Sequence, residues 1–145
     1  MKKFLNKSVL FFMFLLGLAS CGIESKIDNV ADEFYENLNE KNYKAAAALA
    51  DTTAFDSFSK AEFMQWLEDR NEYWGRIKSY KRYLTNVSET DSITLARFNY
   101  MVISERDTVY EFLEFIAKGD DIKIISYGFS PEKEDVTPTE ESDSK

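Results

Sequence analysis

Apolar residues run unbroken from Val9 to Leu18, fall at helical spacing between Ile27 and Trp74, alternate between Ile77 and Phe129, and almost vanish after Pro131. Each rhythm implies a different structure, because a helix repeats about every 3.6 residues and a strand every two. Ile27, Val30, Ala31, Phe34 and Leu38 share one helical face while Asp28, Asp32, Glu33 and Glu36 fall elsewhere, which predicts a first helix of about three turns. Asn39 to Asn42 reads as a turn, and Tyr43 to Ala50 as a short alanine-rich helix that can pack closely. Asp51 to Ser57 breaks the pattern. A third helix then starts with a clear signal: Ser59-Lys60-Ala61-Glu62 is a capping box, and Phe58 with Phe63 forms a hydrophobic staple around it. Its buried stripe is expected at Phe63, Trp66, Leu67 and Arg70 or Trp74, and Gly75 is the expected left-handed cap.

Beyond Gly75 four strand-like runs follow, Ile77 to Asn86, Ile93 to Ser104, Thr108 to Lys118 and Ile122 to Phe129, joined by short polar turns that favour an antiparallel meander. A turn centred on Glu105-Arg106 pairs Val102 with Val109, Tyr100 with Glu111, Phe98 with Leu113 and Ala96 with Phe115 on one face. The other face then carries Met101 with Tyr110, Asn99 with Phe112, Arg97 with Glu114 and Leu95 with Ile116. A second turn at Gly119-Asp120 sets Ile124 against Phe115, Ser126 against Leu113 and Gly128 against Glu111 on the first face. It sets Tyr127 against Phe112 and Phe129 against Tyr110 on the second.

The first face is the more apolar and is expected to receive the helices. Glu111 is its anomaly: an unpaired buried carboxylate costs several kcal/mol, so this one must bond a neighbour such as Tyr100, reach water at a cavity mouth, or meet a ligand. Glu111 and Tyr100 are therefore the candidate ligand-binding residues, with a satisfied structural acid the weightier reading. Tyr110, Phe112, Tyr127 and Phe129 form an aromatic set on the second face, a candidate partner surface if that face is uncovered. Arg97 against Glu114 reads as cross-strand support. Arg76, Lys78, Tyr80 and Arg82 offer a weaker candidate anion site than a charge-guarded edge strand.

Charge and cysteine usage narrow the picture. Lys2, Lys3 and Lys7 precede the apolar run, and ten residues are too few to span a bilayer, which takes about 20. Leu18-Ala19-Ser20-Cys21-Gly22 follows at once. This stretch resembles the bacterial lipobox, which implies cleavage before Cys21, lipid on its thiol, and a bacterial cell envelope location. Gly22 rather than Asp after the cysteine favours the outer membrane over the inner. The sole cysteine excludes an internal disulfide, and a multiply acylated one would anchor stably in the membrane. The chain thus divides into a signal peptide (1–20), a lipidated tether (21–26), one domain (27–130) and an acidic tail (131–145) expected to be disordered.

Loss of the three leader lysines takes the net charge from −8 to −11, which argues against nucleic acid. The absence of histidine removes the usual nucleophile systems and zinc sites, and no stretch has the spacing of a calcium loop. No catalytic set, metal or cofactor is expected.

Residues 27–130 resemble small bacterial lipoproteins with a nuclear transport factor 2-like, or cystatin-like cone, domain. The resemblance lies in the Phe34-x-x-x-Leu38 helix, the Lys-Asn-Tyr43 turn, Gly75-Arg-Ile-Lys-Ser-Tyr80 opening the sheet and Ile122-Lys-Ile-Ile-Ser-Tyr127 closing it. It implies an α+β fold, three N-terminal helices packed on a curved four-stranded antiparallel sheet, and a homodimer through the sheet. Superfamily enzymes such as ketosteroid isomerase place acids, tyrosines or histidines in the cone, and no such set aligns here. The leading expectation is a non-catalytic envelope lipoprotein that binds a small apolar ligand in its cone or a protein partner on its sheet. A cavity reaching Glu111 would favour the ligand, and a filled cone the partner. The alternatives are an acid/base enzyme using Glu111 with Tyr100, or an envelope inhibitor or immunity protein.

Overall fold

The computed structural model describes residues 18–55 and 59–130, with side chains from Gly22 onward. The leader up to Gly17, Phe58 of the expected staple and the acidic tail lie outside the described residues, while the lipobox-like stretch forms the start of the first helix. In order come α1 (Leu18–Asn39), α2 (Tyr43–Ala48), a 3-10 turn (Thr52–Ala54), α3 (Lys60–Trp74), β1 (Ile77–Glu89), β2 (Thr94–Ser104), β3 (Thr108–Lys118) and β4 (Asp121–Ser130). No described helix is long and apolar enough to cross a membrane.

α1 begins earlier than its apolar spacing suggests and includes the residues expected to be a tether. Ile23 carries the buried stripe one turn ahead of Ile27, half-buried against the core, and Lys26 ties that end to Asp120 at 2.5 Å. Ile27, Ala31, Phe34, Tyr35 and Leu38 are buried. α2 stops two residues short of expectation because Leu49 and Asp51 bond Ile124 on β4 instead of continuing the helix. α3 has the expected capping box between Ser59 and Glu62. Its cap Gly75 has φ 82, and a Cβ there would lie 2.7 Å from the Glu105 carboxylate, so only glycine fits.

The strands form one antiparallel sheet in the order β1-β2-β3-β4. β1 bulges between Ile77 and Ser79 and again between Arg82 and Leu84, and β4 bulges opposite Glu114 and Phe115. Bulges increase local twist and bend a strand, which curves the sheet around the helices. The core lies on the helix-facing side, where Phe34, Tyr35, Phe63 and Leu67 meet Phe98, Val102, Leu113 and Phe115.

The β2–β3 register is the expected one throughout, including Tyr100 with Glu111 and Arg97 with Glu114. The β3–β4 register is corrected beyond its first pairs. Phe115 meets Ile124 as expected, but Glu114 then meets Ser126, Leu113 meets Tyr127, Phe112 meets Gly128 and Glu111 meets Phe129. Ile125 is the extra residue of the bulge, and one inserted residue moves every later side chain to the opposite face.

Candidate functional site

The bulge at Ile125 builds the polar centre of the domain. It turns Tyr127 and Phe129 away from the outer face, where strict alternation would place them, and toward the helices. Tyr127 is buried among Phe34, Phe63 and Trp66. Phe129 packs against Trp66 and Trp74, with ring centroids 4.9 and 4.7 Å away. The Tyr127 hydroxyl donates to Glu111 Oε2 at 2.9 Å.

Glu111 lies on the helix-facing side and is sealed from solvent, as is its ion-pair partner Arg70. Arg70 Nε and Nη2 donate to Glu111 Oε1 at 3.0 and 2.7 Å. Nη2 also donates to Ser104 Oγ, while Nη1 donates to Asn71 Oδ1 and, at 3.4 Å, to the Gly75 carbonyl. Every N–H of the guanidinium thus has an acceptor, and its cation stands 5.7 Å from the Trp74 ring centre. Asn71 is fixed in turn by donating to the Leu38 carbonyl.

The electrostatics follow from burial. Loss of water pushes the Glu111 carboxyl above its ordinary range, against the opposing pull of Arg70 and the hydrogen bonds. Desolvation is the largest single influence on Arg70 and would lower it, yet the charge and hydrogen bonding of Glu111 and Tyr127 together outweigh it and hold the guanidinium above its ordinary value. Tyr127 and Tyr35 are raised well above 10, first by burial and then by the Glu111 charge. The Tyr35 hydroxyl is buried within reach of that charge but not in good hydrogen-bonding geometry with it.

Tyr100 is next to Glu111 in register yet does not bond it, because its hydroxyl has no hydrogen-bond partner. Burial raises its pKa first, and the charge acting most strongly on it is Asp28 of α1. Asp28 receives a hydrogen bond from Arg82 at 2.8 Å, and Tyr80 donates to Asp32 at 2.7 Å while stacking on Tyr35. Half of the candidate anion site on β1 therefore fastens α1 to the sheet, and Arg76 and Lys78 are exposed. The sequence marked Glu111 as anomalous and admitted Arg70 to the buried stripe of α3 but did not join the two. The signal was present: opposite charges occur singly on two faces expected to pack together.

The expected aromatic surface is split. Tyr110 and Phe112 are on the outer face as expected, Tyr110 edge-on to Tyr83 and Phe112 beneath Arg97 at 4.0 Å. Gly128 lies under the Phe112 ring, where a Cβ would come within 2.6 Å, and not beside Glu111. Arg97 holds Glu114 at 3.3 Å, both about one-third exposed. Leu95 and Ile103 are the exposed aliphatic residues of this face, at 46% and 38%. A groove of about 560 Å³ crosses its lower half between Asn86, Leu95, Arg97, Glu114 and Ile125. Among the described residues no acidic or cysteine cluster has the makings of a metal site.

Neither protein-family models nor curated proteins match the chain. Among solved structures it is similar to Bd1075 of Bdellovibrio bacteriovorus, with TM-score 0.55 and 13% identity over 76% of this chain and 41% of that one. It therefore spans about two fifths of the Bdellovibrio protein. It is also similar to a candidate dehydratase of the nuclear transport factor 2-like family from Streptomyces avermitilis, with TM-score 0.53 and 14% identity over 74% and 95% of the two chains. Identities this low speak to the fold, which is nuclear transport factor 2-like: three helices followed by a curved four-stranded antiparallel sheet.

Proposed function

We propose that the protein is a lipid-anchored bacterial envelope lipoprotein that works without catalysis, by binding a protein partner on its sheet. The observation that carries this is the filled interior around Glu111. A general acid or base must come within hydrogen-bonding reach of its substrate. Glu111 has no exposed side-chain surface, and Arg70 and Tyr127 already bond both of its oxygens. A ligand in the cone would have to break a desolvated ion pair, which costs about 3–5 kcal/mol. The outer face, in contrast, presents exposed Leu95 at the rim of an open groove, half-buried Tyr110 and Phe112, and exposed Ile103 toward its other end, the kind of surface that marks an interaction site. A second copy of the chain is the simplest occupant.

The anchor rests on the leader and the lipobox-like stretch ending at Cys21, and the outer membrane is the preferred location. An alkyne fatty acid fed to cells should label the wild type and not Cys21→Ser; equal labelling of both would remove the anchor. Photo-crosslinking residues placed at Leu95 and Ile103 should give discrete adducts, and one at the exposed Glu33 of α1 should not. Adducts of equal yield from all three positions, or none from the outer face, would overturn the binding role.

A further inference from the structure

The two edges of the sheet are managed differently. β1 is approached by Arg76, contains Lys78, Lys81 and Arg82, and is bulged twice. Charges and bulges are the devices by which an edge strand resists the addition of another chain. β4 has neither charge nor proline from Ile124 to Ser130, and from Ser126 onward its pairing with β3 is regular. The protein already adds a strand to this edge for one step. Asp51 donates its N–H to the Ile124 carbonyl at 2.8 Å, Ile124 donates to the Leu49 carbonyl at 3.0 Å, and the chain then turns into the 3-10 segment. Among the described residues no other strand pairs with the outer edge of β4.

The flank of this edge has a definite chemistry. Trp66 and Trp74 of α3 pack on Phe129 and form an aromatic margin, and Tyr73 beside Trp74 is 72% exposed. Glu62 and Asp69 are exposed one turn to either side of Trp66, on its face of the helix. Past Lys60 the exposed positions of α3 include no cation, because Arg70 is buried.

We propose that the outer edge of β4 from Ser126 to Phe129 docks an extended basic segment of a protein partner. The segment adds to the sheet through main-chain hydrogen bonds, and its cations meet Glu62 and Asp69. This inference rests on the binding-module reading but assigns a surface distinct from the outer face.

The test uses the full chain in detergent and a synthetic peptide of about eight residues alternating valine and lysine, read by hydrogen exchange and titration. Expected are saturable binding, slowed exchange over Ser126–Phe129, affinity that falls with added salt, and about tenfold weaker binding to Asp69→Lys. The same peptide N-methylated at alternate residues, which keeps its charge and removes main-chain donors, should bind at least about tenfold more weakly. Equal binding of the methylated peptide would reduce the effect to charge and overturn the proposal. So would protection confined to Leu95–Ile103, or a β4 edge already protected in a dimer that the peptide cannot open. None of these results touches the outer-face reading, which the crosslinks at Leu95 and Ile103 decide separately.

Discussion

β3 is paired on both sides, and its two ladders teach different things. Toward β2 the partners follow one another without interruption from Thr94 with Ala117 to Ile103 with Thr108. Toward β4 the ladder slips by one residue at Ile125. The regular ladder fixes which face Glu111 occupies, and the slipped ladder decides what meets it there. Without the bulge Gly128 would lie beside Glu111 and Tyr127 would face outward; with it, a tyrosine hydroxyl reaches the carboxylate and two aromatic rings join the core. A single inserted residue therefore converts a potential binding cavity into a filled one.

Deleting Ile125 breaks this difference most directly. It should return Tyr127 and Phe129 to the outer face and leave the Arg70–Glu111 pair half-enclosed, at a cost of about 4 kcal/mol or more. Urea denaturation reads the loss, and a deletion that keeps near-native stability would show that the bulge does not hold the core together. The next largest effect is expected from Arg70→Met, which strands a buried carboxylate and should cost about 3–5 kcal/mol. Adding Glu111→Leu to it should recover much of that loss, because the remaining penalty is an unpaired charge rather than lost packing; a double-mutant cycle with no coupling would contradict the ion pair.

Tyr127→Phe and Tyr100→Phe compare two buried hydroxyls, one from each ladder. The first removes the hydrogen bond to Glu111 and should destabilise by about 1–2 kcal/mol. The second removes a hydroxyl without a partner and should be neutral or slightly stabilising in thermal melts. Both tyrosines have folded pKa values raised above 10, so the folded state retains protons that the unfolded state releases. Their contribution is complete below the unfolded pKa of about 10 and is lost as pH rises through the folded values. Near-ultraviolet tyrosinate absorbance should therefore rise in two phases, the later one coinciding with unfolding. Smallest is Glu114→Gln on the outer face. Its ion pair with Arg97 is partly exposed and should contribute less than about 1 kcal/mol, which sets a surface pair against the buried one three residues earlier on the same strand.

The sequence by itself determined the succession of helices and strands, the capped start of α3, the meander and the β2–β3 register, because each depends on local periodicity, turn chemistry and the two-residue repeat of a strand. It also placed Glu111 on the helix-facing side. The β4 slip left a trace as well: Ile124 and Ile125 are adjacent, and the apolar phase set by Ile122 and Ile124 resumes one residue late at Tyr127 and Phe129. Strict alternation passes over that trace, and the tertiary structure decided it, because a bulge is favoured by how well two rings and a hydroxyl fit against α1 and α3. The Arg70–Glu111 contact was decided in the same way. It joins residues 41 positions apart, and whether an acid in a core is satisfied depends on which distant cation the packing of a helix on a sheet brings to it.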